Sequence, residues 1–516
     1  MEPNDKVFDT AIIGSGFAGS ILAMVLRQSG QRVLLIEKNR HPRFAIGESS
    51  TPLANLLLEE IARDSNLPHL LNLTEWGRWQ LHHPNLPCGL KRGFTFFHHS
   101  PLTPLDPRDR SKQLLVAASP SDRVADTHWY RPAFDEFLVK EAQSCGVDYH
   151  SDSTISKLER DNGLWKMELQ SNGSVTNPTA KFLVDASGPR GFLVSHFNIP
   201  VTPSAGMPGT QSLFAHFTGV RSMAECDERF ATLNAPYPVD DAAVHHMIEG
   251  GWVWGLRFNN GLTSVGVVLE DTHAQTIGLS KREQGWQTLL RRYPSLEQMM
   301  ERACRTTDWH YMPRVGSRSH SVVGDGWALL PSAAGFVDPM LSTGFALTLL
   351  GIQRLAKILT NSQSDHGNNN SLQAYEKITL LELDHTAELI GALYANLNNP
   401  DNIRDLTLLY FAAASYSETV RRLGKPELAR SFLLCQDVSF GPESKAIFKL
   451  SRTTSNQNLR QLVHGLIEKI DIAGLTKTEG QNWYPLNLDD LLNHSDKVRS
   501  NRLDIMEMLK KNGLII

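Results

Sequence analysis

Two stretches of this 516-residue chain set glycine at a predicted helix start, a combination that can hold an anion. The first, Gly14-Ser15-Gly16-Phe17-Ala18-Gly19, follows a mainly apolar run from Phe8 to Ile13 and precedes a helical pattern through Leu26. Gly14 permits a tight turn, Gly16 lets the backbone approach a pyrophosphate, and Gly19 lets helix and strand pack closely. The free N–H groups of the helix start are offered to the phosphates. A second apolar run, Val33 to Ile36, ends at Glu37, where a carboxylate can accept from a ribose 2′-hydroxyl and would repel a 2′-phosphate. This is a βαβ dinucleotide unit, and alone it leaves FAD and NAD both open. The second stretch, Ser342-Thr343-Gly344, would open a helix that starts near Phe345. Its outward N–H groups could stabilise the negative charge on the pyrimidine edge of a reduced flavin, or bind a halide.

The elements around these stretches decide which dinucleotide they would serve. Pro52 sits suitably for the start of a helix running to about Ala62, with Ser49, Ser50 or Thr51 as its cap. The region from Leu67 to Leu115 is irregular apart from one strand-like run, Lys91 to Phe97. An amphipathic helix is predicted from about Pro132 to Gln143, ended near Gly146. Strand-like runs follow, one stopping at Asp185-Ala186-Ser187-Gly188, and Asn259-Asn260-Gly261 predicts a hairpin turn. A polar linker, SQSDHGNNNS, precedes a mostly helical pattern from Leu372 to Ile516. A nicotinamide dehydrogenase would continue with further βα units, whereas this chain turns to an irregular region and a β-rich insert. Three separated segments converging on one extended cofactor suit FAD.

The expected fold is therefore α/β: an FAD-binding, Rossmann-like domain with an inserted antiparallel substrate sheet and a helical C-terminal region. The FAD-binding domain would be discontinuous within 1–360, at about 1–80, 120–190 and 310–360. The β-rich substrate domain would fill about 81–119 and 191–309, with a substrate cover over 372–516. Charge is nearly balanced, 51 basic against 55 acidic residues, which argues against a nucleic-acid surface or an anionic membrane. Five scattered cysteines without a CxxC suggest neither a disulfide framework nor a zinc site, and fit a reducing cytoplasm. No signal core and no uncharged apolar run of about 18 residues is seen, so a soluble protein is expected.

The segments GSGFAGS, GESSTP, RPAFDEFLVKEA, VDASGP, GWVWGL with TSVGVVLE, and GFVDPMLSTG resemble, in that order, the flavin-dependent halogenases across roughly residues 7 to 360. The most specific element is Phe336-x-x-Pro339-x-x-Ser342-x-Gly344. The resemblance implies FADH2 supplied by a separate flavin reductase, a flavin hydroperoxide formed with O2, and halide held near Thr343 and Gly344. The hypohalous acid so formed would pass to a lysine that delivers it to a small or carrier-tethered aromatic substrate. Lys91 matches the lysine-led strand of the phenol and pyrrole halogenases; an ammonium hydrogen-bonds hypohalous acid and a neutral amine could form a chloramine. The cofactor residues implied are Gly14, Gly16, Phe17, Ala18, Gly19, Glu37, Lys38, Glu48, Ser49, Arg131, Asp185, Ser332, Asp338 and Phe345. Glu48 reads equally as a carboxylate that orients the flavin-facing loop and as one that faces a helix N-terminus. Arg131 reads equally as a pyrophosphate contact and as a helix-start charge.

Three positions depart from the family pattern. The Trp-x-Trp-x-Ile-Pro hallmark becomes Trp252-Val253-Trp254-Gly255-Leu256-Arg257, and the tryptophans are expected to pack the sheet. Pro331-Ser332 replaces a Gly-Asp whose aspartate would hold the ribityl chain. Leu341 stands where tryptophan halogenases carry glutamate, which points to an electron-rich phenol- or pyrrole-like substrate. The pairs His82-His83, His98-His99 and His245-His246 are expected at the surface or in the substrate pocket, without a metal. Arg257 and Ser332 favour the alternative of a flavin monooxygenase or dehydrogenase on the same scaffold. A flavin-binding partner without turnover is the other rival.

Overall fold

The computed structural model describes residues 7–514 apart from 172, 205, 362–368, 454–457 and 478. Most of the predicted linker thus lies outside the described residues. The strand Val7–Ile13 runs parallel to Val33–Ile36 on one side and to Thr179–Asp185 on the other. Asp148–His150 and Trp327–Leu329 extend this parallel sheet. Both faces are covered, which is why these strands read as continuous apolar runs. The helix Phe17–Gln28 buries every residue from Phe17 to Leu26. Thr51 caps the helix Pro52–Asp64 by accepting from the Ala54 N–H at 3.2 Å, and Pro52 occupies its first turn.

The second large sheet gathers Gly93–His98, Gln113–Ala117, Thr210–Thr218, Ala242–Ile248, Gly251–Arg257 and Thr263–Glu270. Gly251–Arg257 and Thr263–Glu270 form the predicted hairpin, with Gly261 at a left-handed φ of 80° in its turn. One expectation is corrected. The run Lys91 to Phe97 is not one strand: Cys88–Lys91 pairs antiparallel with Asp126–Trp129 in a small separate sheet, and Gly93–His98 joins the large one. The break falls at Arg92, whose N–H donates to the Asp241 carbonyl at 2.7 Å. A Cβ at Gly93 would stand 2.3 Å from the Val116 carbonyl oxygen, so the close crossing requires glycine. Lys91 therefore ends a strand instead of leading one, opposite Asp126 in the register.

Long helices Thr343–Thr360, Asn369–Tyr394 and Pro400–Arg422 pack beside the parallel sheet and the helix Pro52–Asp64. The C-terminal region is mostly helical, but Trp483–Tyr484 also pairs parallel with Gln113–Ala117 and so lengthens the second large sheet. Among the described residues, no helix is long and apolar enough to cross a membrane.

Candidate active site

A cavity of about 870 Å3 lies between the two sheets. Its wall includes Gly14, Gly16, Phe17, Ala18, Glu37, Lys38, Glu48, Ser49, Arg131, Ser332, Asp338, Thr343, Gly344 and Phe345. Two predicted cofactor residues do not line it. Gly19 is internal packing, since a Cβ there would lie 1.9 Å from the Gly14 carbonyl oxygen. Asp185 is a correction: its Oδ1 accepts from the Ser187 N–H at 2.9 Å and hydroxyl at 2.6 Å, and its Oδ2 from the Leu193 N–H at 2.7 Å. Its carboxyl group ties down the turn after the strand Thr179–Asp185.

At the glycine turn, Gly14 adopts φ 100°, and the helix Phe17–Gln28 starts at Gly16 without a side-chain cap. Glu37 Oε2 accepts from the Ser15 N–H at 3.1 Å and pairs with Arg43 Nη2 at 2.9 Å, while Oε1 accepts from the Asn39 N–H at 3.1 Å. Burial alone would raise the Glu37 pKa, but Arg43 and these N–H donors hold it below the usual carboxylate range. Arg131 forms a fork with Asp135, Nε to Oδ1 and Nη2 to Oδ2 both at 2.8 Å. Its Nη1 donates to the carbonyls of Ile46 and Gly47, so Arg131 fixes the loop before Glu48 and also faces Gly16. Glu48 Oε1 lies 2.7 Å from His216 Nε2 in a buried pair.

The helix Thr343–Thr360 starts at Ser342, again without a side-chain cap. A Cβ at Gly344 would meet no atom within 4 Å, so its N-terminal turn opens into space. Leu341 and Ser342 both hold left-handed φ, 63° and 56°. Tertiary bonds impose this shape: the Tyr410 hydroxyl donates to the Leu341 carbonyl at 2.9 Å, and Asp338 organises the preceding turn. Asp338 Oδ1 accepts from the Met340 N–H at 2.9 Å and the Trp252 indole N–H at 3.3 Å, and Oδ2 from the Tyr394 hydroxyl at 2.9 Å. Burial pushes its pKa up to about 7. Asp338 thus borders the cavity, but its oxygens are engaged within the protein. Trp252, expected only to pack, also anchors this loop. Trp254 donates to the Ser264 hydroxyl at 3.1 Å.

Lys91 is fully buried and lies between residues that line two separate cavities. Its Nζ donates to the Ser49 hydroxyl at 2.9 Å and to the Ser50 carbonyl, on the side of the large cavity. It also lies 3.8 Å from the centre of the Phe94 ring. Phe94 and Asp126 line a second cavity of about 180 Å3, roofed by Tyr410, Phe411 and C-terminal residues such as Leu491 and Met508. Burial drives Lys91 toward the neutral amine, and the charge of Asp126 opposes it.

His98, His245 and His246 lie on strands of the large sheet and are buried, and His99, just after the strand Gly93–His98, is buried too. His245 borders the large cavity and stacks on Trp252 at 5.0 Å, whereas His246 and His99 face each other at 3.0 Å. His82 is exposed. Among the described residues, no group of three or more His, Cys, Asp or Glu could hold a metal. Arg257 turns away from the cavity toward Asp240 and the carbonyls of Val220 and Arg221. That departure from the hallmark leaves the cavity wall unchanged. Sequence reasoning missed Arg43, Asn55, Asp126, His216, Tyr394 and Tyr410, because single residues outside motifs give no signal until the fold brings them together.

The fit to an extended flavin dinucleotide follows from this wall. Two uncapped helix starts open into one cavity, an acid–arginine pair stands beside the first, and Gly16 and Gly344 leave room for close approach. These features fit a flavoprotein oxidoreductase, with a cavity between its two large sheets long enough in reach for FAD. Comparison with known families narrows the class. Residues 126–403 match the tryptophan halogenase family model, and residues 12–52 match that of the NAD(P)-binding Rossmann-like domain. The monodechloroaminopyrrolnitrin halogenase PrnC of Pseudomonas fluorescens is 30% identical over 403 residues, covering 76% of this chain and 69% of that protein. The tetracycline 7-halogenase of Kitasatospora aureofaciens is 30% identical over 351 residues, covering 67% of this chain and 62% of its own length. The crystal structure of halogenase PltM in complex with phloroglucinol and FAD superposes with a TM-score of 0.80 at 23% identity, covering 92% of this chain and 99% of that one. The chain belongs to the tryptophan halogenase family and is a flavin-dependent halogenase with FAD as its cofactor.

Proposed function

We propose that the enzyme installs chloride or bromide on an electron-rich, phenol- or pyrrole-like ring seated in the second cavity, with Lys91 as the delivering residue. The observation that carries this reading is the place of Lys91: a buried ammonium that touches Ser49 of the cofactor cavity and Phe94 of the second one. Reduced FAD, when bound, would supply the two electrons and two protons by which O2, halide and one further proton become hypohalous acid and water. Gly14, Gly16, Glu37 and Arg131 would hold the nucleotide, with Arg43 securing Glu37. The N–H groups of Thr343 and Gly344 would hold the halide, since an uncapped helix start attracts anions. Lys91 Nζ would receive hypohalous acid by hydrogen bond and present its halogen to the ring. The C-terminal helices would cover that ring and keep water from the electrophile. A separate flavin reductase would supply FADH2 in the cytosol, and the substrate would be either a free small molecule or one tethered to a carrier.

The test is mass spectrometry of products from wild type and Lys91→Ala, each given a reductase, NADH, chloride or bromide, and a phenol and pyrrole panel. Halogenated product from wild type, reduced roughly a hundred-fold or more in the variant, is expected. Oxygenated product formed equally by both would overturn the reading and make Lys91 a structural charge.

A further inference from the structure

Asp126 is a buried carboxylate with half of its hydrogen-bonding capacity unused. It is 5% exposed, and its Oδ1 accepts from Asn55 Nδ2 at 2.7 Å. Its Oδ2 is buried and has no hydrogen-bond partner among the described residues. Lys91 stands opposite in the strand register, but its ammonium hydrogen bonds go to Ser49 and Ser50. The other charged groups on the second cavity's wall are already matched. Glu418 pairs with Arg422 at 2.8 Å, and Glu75 with Arg78 at 2.9 Å. The rest of the wall is largely apolar and aromatic, with Phe94, Phe411, Leu491 and Met508 among its residues. A buried acceptor left unsatisfied is costly, and a ligand donor that reaches it recovers that cost.

We propose that Asp126 is the recognition group for the substrate: its free carboxylate oxygen accepts a hydrogen bond from an N–H or O–H carried directly on the aromatic ring. The ligand class is therefore the ring with its own donor, a phenol, pyrrole, indole or aniline, in preference to an ether, a thiophene or a plain hydrocarbon. The proposal rests on reading the second cavity as the substrate site. An apolar pocket with one polar group on its wall fixes ligand orientation in this way. A carboxylate that accepts from the ring heteroatom also pushes electron density into the ring, which favours attack by an electrophile. Burial raises the Asp126 pKa and the positive charge of Lys91 lowers it, with Glu418 and Arg422 acting in opposite senses from the helix Pro400–Arg422. The plain counter-charge role with Lys91 would affect every ligand alike, so discrimination between isosteric ligands separates the two.

Calorimetric titration of the full-length, FAD-loaded protein with phenol against toluene, and indole against indene, tests this without turnover. Each pair differs only in whether the ring carries a donor. Wild type is expected to prefer the donor by roughly ten-fold or more in Kd, against the hydrophobic trend. In Asp126→Asn, Asn55 holds the amide oxygen, so the amide N–H group faces the cavity and opposes a ligand donor. The preference should then vanish or reverse. A wild type that shows no preference, or binds none of the four, overturns the proposal without recourse to the variant. So does a preference unchanged in Asp126→Asn. Halogenation is scored separately: donor preference that follows Asp126 in a protein making no halogenated product would leave this inference standing and sink the proposed reaction. Halogenation with no such preference would do the reverse.

Discussion

The two helix starts that open into the cofactor cavity are built by different means. The start at Gly16 is made locally: Gly14 at φ 100°, a strand before it and a packed helix after it, all within one short segment. The start at Ser342 uses non-glycine residues, Leu341 and Ser342, in left-handed conformations that cost roughly 1–2 kcal/mol each. Bonds from far along the chain hold them, from Trp252 to Asp338, Tyr394 to Asp338 and Tyr410 to the Leu341 carbonyl. A site for phosphates can thus be written in a dozen residues. The start at Ser342 depends on both the second large sheet and the C-terminal helices, which are thereby joined through one loop.

The comparison breaks most severely at the glycine turn. Gly14→Ala would bring a Cβ to 2.6 Å from Ser187 Cα in a backbone region closed to alanine. A loss on the order of 3 kcal/mol or more is expected, with loss of FAD retention, read by urea unfolding and flavin absorbance. An intact, flavin-binding variant would show that the turn tolerates opening.

The second helix start should instead respond to pH through Asp338. Its folded pKa is raised from 3.8 to about 7, so the folded state binds more protons than the unfolded one in that window. This contribution to stability is fully present below the unfolded value and is lost as pH rises through about 7. Relative to Asp338→Asn, wild type should lose about 2–3 kcal/mol between pH 5 and pH 8. Parallel stability curves for the two proteins would contradict this.

The mildest effect is expected for Tyr410→Phe, which removes only the donor to the Leu341 carbonyl. Stability should fall by about 1 kcal/mol. The halide KM should rise while the Kd for FAD stays near the wild-type value, since the glycine turn is untouched. Equal changes in both would mean that the two helix starts are coupled more tightly than their separate anchors suggest.

Much of the fold was legible in the sequence. The βαβ unit, the helix after Thr51, the hairpin at Gly261 and the late helix at Thr343 all declare themselves through periodicity, caps and turn residues. Of the cofactor and halide residues named through the family resemblance, all but Gly19 and Asp185 border the large cavity. Two readings changed for one shared reason: partners are set by tertiary contacts. Asp185, expected at the cofactor, is engaged by its own turn, whereas Trp252 packs as expected and also donates to Asp338. The run Lys91 to Phe97 looked continuous and is split between two sheets.

By itself the sequence determined the nucleotide turn, the α/β class and the residue types around a flavin. These follow from local backbone sterics and from the 2.0- and 3.6-residue periods of strand and helix. Only the tertiary structure placed Lys91 between Ser49 and Phe94, left Asp126 with an unused oxygen, and locked Leu341 and Ser342 in their strained turn. Those features depend on contacts between segments tens to hundreds of residues apart, and no local pattern encodes which distant side chain will satisfy a buried polar group.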